Sequence, residues 1–194
     1  MKKDYLLDLV RSKNTVFTTN DVSLLWGESN IAFIRKKMYR YIKAGKLTSV
    51  RKGIYVKDKQ YEKYELATKI FTPSYISFET VLASAGVTFQ FYSHIFVASY
   101  LTRELTIDEQ IYSFKKIKDS ILTNKTGIEV RDNYFIASPE RAFLDVVYLN
   151  TDYFFDNLSN INWKKVSSIL PIYNNKRMEA KVKKYQKDTE ETQE

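Results

Sequence analysis

Three charged residues come nearest to forming a catalytic site in this chain. Asp119, Glu129 and Arg131 follow the order of the acidic and basic residues with which a nuclease gathers Mg²⁺. The lysine usual in that set is an arginine here, and Asp119 falls in a predicted turn. Matches this short arise by chance in a chain with 28% charged residues. We therefore expect no nuclease activity.

Other residue types narrow the possible chemistry further. The chain has no cysteine, which excludes disulfides, cysteine–zinc sites and thiol nucleophiles. His94 is the only histidine, and we expect it at the core edge or on the surface rather than in a metal site. None of the five glycines falls at the spacing of a phosphate-binding loop, and the chain lacks the Gly-Ser pair of nucleotidyltransferases. We expect no enzyme activity, no cofactor and no metal.

Charge is distributed unevenly along the chain. Residues 1–60 contain fourteen Lys and Arg against five Asp and Glu, a net charge of +9, whereas the remaining 134 residues carry a net charge of −1. A basic excess confined to one third of the chain indicates a polyanionic partner, since a purely solubilising charge would be spread more evenly.

The basic segment also contains helix signals at short intervals. Apolar residues at helical spacing predict a first helix over 4–12, and the polar cluster 18–21 predicts the cap of a short second helix that ends at Gly27. A third helix is predicted over 30–44, and Gly45 has the position of a residue that terminates a helix.

Two short strands follow the helices. Residues 47–51 and 54–57 are rich in β-forming residues and flank Lys52-Gly53, which predicts a hairpin. Residues 27–29 have the length required for the turn between helices two and three. Three helices followed by a basic hairpin predict a winged helix-turn-helix.

The third helix has an apolar side and a basic side on a helical wheel. Ile34 and Met38 mark the apolar side, which we expect to pack on the first two helices. The opposite side combines basic and small residues and suits insertion into a major groove, with the N-terminal residues reaching bases first. The hairpin's basic residues suit phosphate or minor-groove contact. The predicted DNA-binding residues are Ser29, Asn30, Ala32, Phe33, Lys36, Lys37, Arg40, Lys43, Arg51 and Lys52.

Two alternatives stay open for this surface. A basic helix face taken alone also fits an ordinary solvated surface, and the hairpin and local charge are what favour DNA. The sequence does not assign which of the side chains reads a base and which holds a phosphate.

The rest of the chain predicts a second domain of mixed α/β type. Helices are predicted over 60–71 and 77–86, from Pro139, and over 162–170 and 175–186; strands are predicted over 93–101, 110–117, 128–131 and 133–137. The predicted fold class is α+β, with a winged helix over 1–58, an α/β domain over 59–187 and a disordered polar tail over 188–194.

Three sequence blocks stand out along the chain: KAGKLTSVRKGIYV (43–56), PSYISFETVLASAGV (73–87) and SPERAFLDVVYL (138–149). They resemble blocks of AbiEi-type antitoxins and occur in that family's order, and the first resembles the family's wing. The second and third blocks are not general features of winged helices. The region after about 150 carries no matching motif.

The resemblance implies a two-gene phage-defence module. In this family the winged helix binds and represses the module's own promoter, and the C-terminal domain counters a nucleotidyltransferase-like toxin. It implies as partners double-stranded DNA, expected to contain inverted repeats, and a toxin with which no stable complex is expected. The alternatives are a stand-alone transcriptional regulator and a protein–protein interaction module with a basic nucleic-acid-binding N-terminus. For Glu140, Arg141 and Asp145 we expect structural pairing rather than catalysis.

The sequence indicates a cytoplasmic protein without membrane contact. The N-terminal apolar run is interrupted by Asp4 and Asp8, which is not the pattern of a signal peptide. No strongly apolar stretch approaches the roughly 18 residues that a membrane span needs.

Overall fold

The computed structural model describes residues 4–90, 93–150 and 152–193. The protein is a mixed α+β chain with a mixed sheet, which confirms the predicted fold class at that level. Its internal contacts form two compact units, Met1–Ile70 and Phe71–Glu194. The first unit therefore continues beyond residue 58, where the sequence places the end of the first domain. Lys2 and Lys3, which contribute to the basic excess, lie outside the described residues.

The first unit contains the predicted helices and hairpin. Its elements in chain order are α1 (Tyr5–Arg11), β1 (Val16–Thr18), α2 (Thr19–Trp26), α3 (Ile31–Lys43), β2 (Thr48–Arg51), β3 (Ile54–Val56) and α4 (Lys63–Ile70). β3 lies between β1 and β2 in an antiparallel three-stranded sheet. The sequence did not predict β1, because three residues are too few to show an alternating pattern.

Side-chain caps explain where the first helices begin. The carboxylate of Asp4 accepts backbone hydrogen bonds at 3.2 Å from the first turn of α1. At the start of α2, the Thr18 hydroxyl accepts from the N–H of Asp21 at 3.1 Å, and the Asp21 carboxylate accepts from the N–H of Thr18 at 2.8 Å. These bonds satisfy N–H groups that have no partner inside a helix.

The core of the first unit is a cluster of aromatic and aliphatic side chains. Trp26 is 1% exposed, and its indole N–H donates to the carbonyl of Tyr5 at 3.0 Å, so that its one polar group is satisfied. The cluster consists of Leu9, Phe17, Val22, Trp26, Ile34, Met38, Leu47 and Tyr55.

A buried carboxylate attaches α4 to the rest of the first unit. Glu65 is fully buried and accepts hydrogen bonds from the backbone N–H of Thr15 at 2.9 Å and from its hydroxyl at 2.7 Å. Lys69 pairs with Glu65 at 2.9 Å and with Asp21 at 3.1 Å. These contacts join α4 to the residue before β1 and to α2, and the first unit ends at Ile70, the last residue of α4.

The second unit is organised by a six-stranded sheet. Its strands are β4 (Ser74–Ile76), β5 (His94–Ser99), β6 (Arg103–Ile107), β7 (Gln110–Lys116), β8 (Ile128–Arg131) and β9 (Tyr134–Ala137). The order across the sheet is β6-β7-β5-β4-β9-β8. The pairs β5–β7 and β4–β9 are parallel and the other neighbouring strands are antiparallel. The sequence did not predict β4 or β6.

The helices of the second unit pack mainly around one of their number. They are α5 (Glu79–Ser84), α6 (Asp119–Leu122), α7 (Pro139–Leu149), α8 (Trp163–Ile169) and α9 (Lys176–Gln193), with a 3₁₀ turn over Leu170–Tyr173. α7 contacts α5, α8 and α9 as well as β9, and its residues 140–147 are all buried. α6 begins at Asp119, where the sequence predicts a turn. α9 continues to Gln193, through the segment for which composition predicts disorder.

In the part of the chain that the structure describes, we find no helix both long and apolar enough to cross a membrane.

Candidate nucleic-acid interface

The connection between α2 and α3 is held by hydrogen bonds on both sides. Gly27 ends α2 with φ +59°, a conformation that glycine adopts without steric cost. The hydroxyl of Ser23 donates to the carbonyl of Glu28 at 2.6 Å. The Glu28 carboxylate in turn accepts from the N–H of Asn30 at 2.8 Å. The start of α3 is therefore fixed relative to α2.

Asn30 caps α3. Its side-chain oxygen accepts from the N–H of Phe33 at 3.0 Å, so this oxygen has a structural partner within the chain. Ser29 and Asn30 are both exposed at the beginning of the helix, as predicted.

α3 packs inward through the predicted apolar stripe. Ile34 and Met38 are fully buried in the core cluster, and Ile31, Tyr41 and Ile42 are packed against it. The opposite side of the helix exposes Ala32, Lys36, Arg40 and Lys43. The helical period read from the sequence therefore assigns the two sides of α3 correctly.

Two predicted site residues lie on the flank of α3 and contact α1. The ammonium group of Lys37 lies 5.5 Å from the ring centre of Tyr5 and 5.7 Å from that of Tyr41. The ring of Phe33 meets the Tyr5 ring edge-on at 5.7 Å and is 37% exposed. Lys37 and Phe33 thus support the helix from its side, and Lys37 is half-buried whereas Lys36 and Arg40 are exposed.

The exposed side of α3 includes two residues that were not predicted. Tyr39 is 64% exposed and lies on the wheel between Ala32 and Arg35, which is also exposed. The wheel angle of Tyr39, about 60° from Lys36, was available from sequence.

The hairpin is tied to the start of α2. Gly53 turns the chain between β2 and β3 with φ +78°, and its carbonyl accepts from the N–H of Thr19 at 3.0 Å. Lys52, beside it, is exposed, whereas Arg51 is half-buried at the end of β2. Lys52 is thus the more accessible of the two predicted hairpin cations.

Charge on α3 is of one sign only. The helix carries Arg35, Lys36, Lys37, Arg40 and Lys43 and no acidic residue. Within the described residues, none of these five cations lies within 4.0 Å of a carboxylate oxygen. The exposed side of α3 can therefore contribute positive charge to an external anion without first breaking an ion pair.

The second unit contains a different charged cluster, which is closed to solvent. Arg141 and Asp145 are both 0% exposed and pair at 3.3 Å, one helical turn apart on α7. Asp145 also accepts from the hydroxyls of Tyr75 at 3.0 Å, Ser77 at 2.7 Å and Tyr173 at 2.6 Å. The expected structural pairing is present between Arg141 and Asp145, with hydroxyl partners that the sequence did not indicate. Glu140 was expected to take part, but among the described residues its buried Oε2 has no hydrogen-bond partner.

The Arg141 guanidinium has its own set of acceptors. It donates to the carbonyls of Ile121 at 2.8 Å and Thr126 at 2.9 Å and to the Tyr75 hydroxyl at 2.8 Å. Burial, followed by the Asp145 charge, raises the pKa of the Tyr75 and Tyr173 hydroxyls well above the ordinary value of 10.0. Both hydroxyls are therefore protonated donors across the physiological range. The cluster holds α7 to β4, and its two charged side chains are closed to solvent.

The residues considered for metal chemistry are not gathered into a site. Glu129 pairs with Arg131 at 3.2 Å on an exposed strand, and Asp119 begins a separate short helix. His94 is half-buried, with its Nε2 4.0 Å from a carboxylate oxygen of Glu104. Across residues 4–90, 93–150 and 152–193, no three His, Cys, Asp or Glu side chains are grouped so that they could hold a metal ion.

A scan against protein-family models finds no match, and a search of curated proteins finds no significantly similar sequence. The function is therefore inferred from the geometry and charge of this chain and from the motifs in its sequence.

Proposed function

We propose that the first unit is a winged helix-turn-helix that binds double-stranded DNA in a sequence-specific manner. The observation that carries this proposal is the exposed basic side of α3, directly opposite the stripe formed by Ile34 and Met38. A helix about 10–12 Å across fits a major groove about 12 Å wide. The buried stripe anchors the helix, so its other side is presented as a fixed surface.

The exposed residues of α3 and the hairpin have distinct roles in this proposal. Lys36 and Arg40 lie near the centre of the exposed side, where a long cationic side chain reaches the acceptor groups of guanine. Ser29 and Ala32 lie near the helix start, which enters the groove first. Lys52 extends from the hairpin towards phosphate. Lys37, held over two rings, contributes positive charge from the flank.

We also propose that the chain is an antitoxin of the AbiEi type, which represses its own promoter and counters a nucleotidyltransferase-like toxin through the second unit. Support comes from the contacts between the second and third sequence blocks. Tyr75 and Ser77 of one block donate to Asp145 of the other, so a single buried cluster requires both. The blocks on which the resemblance rests thus have a common physical reason to occur together.

A stand-alone transcriptional regulator is the second candidate, because it would use the same basic side of α3 without a toxin. The neighbouring gene distinguishes the two. If the chain is an antitoxin, expression of a downstream nucleotidyltransferase-like gene alone should arrest growth. Co-expression of this chain should then relieve the arrest. Full repression of the promoter without a toxic neighbour would favour the stand-alone regulator.

The direct test of DNA binding is a titration of the gene's own promoter at several salt concentrations. If the first unit neutralises phosphates, the logarithm of the association constant should fall with the logarithm of salt concentration with a slope of magnitude about 4 to 8. Lys164→Ala, an exposed cation of the second unit, is the matched control and should leave the slope unchanged. A slope near zero for the wild-type chain would contradict the proposal.

A further inference from the structure

We propose that two copies of this chain associate by pairing their β8 strands edge to edge, antiparallel, about a twofold axis at Val130. The pairing would join two six-stranded sheets into one. It concerns the second unit alone and does not depend on DNA binding.

β8 is the outermost strand at one end of the sheet and carries exposed apolar surface. Val130 is 68% exposed, and Phe135, directly opposite it on β9, is 47% exposed. Opposite residues of paired strands lie on the same face. Under the proposed pairing the two Val130 side chains become neighbours, so that a row of four apolar side chains crosses the junction.

The outer edge of β8 presents backbone groups for this pairing at Val130, whereas the N–H of Ile128 already donates to the carbonyl of Lys125 at 3.0 Å. Ser138 N–H donates to the carbonyl of Gly127 at 2.8 Å, and Arg131 and Tyr134 flank a two-residue hairpin loop. Residues 127, 129 and 131 therefore direct their backbone groups to β9, and Val130 directs its N–H and C=O away from it. An axis at Val130 lets these two groups bond to their counterparts in the second copy.

Charge on the other face of β8 matches the same register. Glu129 and Arg131 are both exposed and pair within one strand at 3.2 Å. An antiparallel axis at Val130 sets Glu129 of each copy opposite Arg131 of the other. Four charges then alternate in sign across the junction, which favours this register over one shifted by a residue.

The other edge of the same sheet, strand β6, lacks this charge complementarity. Arg103 and Ile107 of β6 lie in the hydrogen-bonded positions towards β7, so the backbone groups of Glu104 and Thr106 point outward. An axis at Glu104 would oppose two glutamates, and an axis at Thr106 would oppose Glu104 to Asp108. Like charges directly opposite disfavour pairing. Self-association through β8 is therefore selective between the two edges.

A four-residue strand provides a small interface. Stable dimers of standard size bury about 1,600 Å², and a single strand edge provides much less. We expect a weak, concentration-dependent dimer rather than a permanent one.

The experiment is sedimentation equilibrium of the full-length chain without DNA, at concentrations up to about 1 mM. The wild-type chain should self-associate. Glu129→Arg and Arg131→Glu should each weaken self-association by roughly tenfold, because each opposes like charges at both ends of the axis. An equimolar mixture of the two variants should associate as wild type does, since opposite charges face each other again. Both positions are exposed, so melting temperatures should stay close to the wild-type value.

Val130→Pro tests the backbone part of the proposal. It removes the outward N–H without removing a bond to β9, and it should abolish association, whereas Val130→Thr, which keeps the N–H, should retain it. A wild-type chain that stays monomeric at the highest concentration would overturn the proposal. So would association that neither charge variant weakens, or a mixture of the two that fails to restore it.

Discussion

α3 and α7 are capped helices of similar length that use their charged residues in opposite ways. α3 has 13 residues behind the Asn30 cap and carries its five cations on the surface and flank, none of them ion-paired within the described residues. α7 has 11 residues behind the Ser138 cap and buries Arg141 and Asp145, which pair with each other. A charge that the fold has already paired serves the fold, and a charge left exposed is available to a partner.

The two helices also differ in the free energy that is needed to place their charges in the folded protein. Burying Arg141 and Asp145 removes both from water, and their attraction offsets that cost only because carbonyls and hydroxyls satisfy the remaining hydrogen bonds. The cations of α3 stay hydrated, so their contribution to the stability of the free protein is small. Substitutions in α7 should therefore change folding, and substitutions in α3 should change binding.

The largest expected effect on stability comes from changing the buried Arg141–Asp145 cluster. Asp145→Ala should lower the free energy of unfolding of the second unit by about 3–5 kcal/mol, because it leaves the Arg141 guanidinium buried without its countercharge. Trp163 is the tryptophan of the second unit and Trp26 that of the first, so urea unfolding followed in a Trp26→Phe background reports on the second unit.

Glu129→Gln is the control for this prediction, because its carboxylate is also paired to an arginine but is exposed. It should change the unfolding free energy by less than about 0.5 kcal/mol. An Asp145→Ala variant that unfolds like the control would show that the cluster does not hold α7 in place.

The next largest effect on stability should differ between alanine substitutions at two glycines that have similar backbone angles. Gly127 has φ +75°, and an added Cβ would lie 2.8 Å from Cδ1 of Ile169 and 3.0 Å from Cβ of Arg141. Gly45 has φ +67° with no heavy atom within 4 Å of such a Cβ. Gly127→Ala should cost about 2–4 kcal/mol and Gly45→Ala about 1–2 kcal/mol, measured by urea denaturation. Equal losses would mean that the surroundings of Gly127 relax freely.

Substitutions on the exposed side of α3 should change stability least, and they should clearly weaken binding to promoter DNA. Arg40→Ala and Lys36→Ala should each weaken binding to the promoter by roughly 1–3 kcal/mol if the residue reads a base, and should relax the preference at one base pair. If the residue holds a phosphate instead, all sequences should weaken together. Quantitative gel-shift titration against the promoter and against scrambled DNA measures both quantities.

Lys37→Ala is the matched variant on the same helix. Its ammonium group lies over the Tyr5 and Tyr41 rings, so we expect the smallest loss of affinity among the α3 cations and no change in base preference. A loss larger than that of Lys36→Ala would mean that the flank of α3 faces the DNA and that its exposed centre does not.

The sequence was sufficient for α3 because all the required information is local. A helical period, a cap at Asn30 and a terminating glycine at 45 lie within one short segment, and together they predict both the helix and its two sides. Tyr39 is the exception, since an aromatic residue at the surface violates the usual preference for burial.

The sequence was insufficient for the buried cluster because its partners are distant along the chain. The Arg141–Asp145 pair is one helical turn apart and was expected. Tyr75 comes from β4, whose three residues give no alternating pattern, Ser77 directly follows that strand, and Tyr173 comes from a 3₁₀ turn. Glu65 is a similar case, because the hydrogen bond that its carboxylate accepts from Thr15 forms only when α4 packs against β1. Such contacts are determined by the tertiary structure, which no local window contains.

The central claim is that the exposed side of α3 reads DNA, and footprinting of the full-length chain on its own promoter tests it most directly. We predict that the wild-type chain and Lys164→Ala protect the same discrete site with major-groove contacts. Arg40→Ala should lose that protection at equal concentration while its melting temperature stays unchanged. Equal protection by the Arg40→Ala chain, or no discrete site for the wild-type chain, would contradict the account.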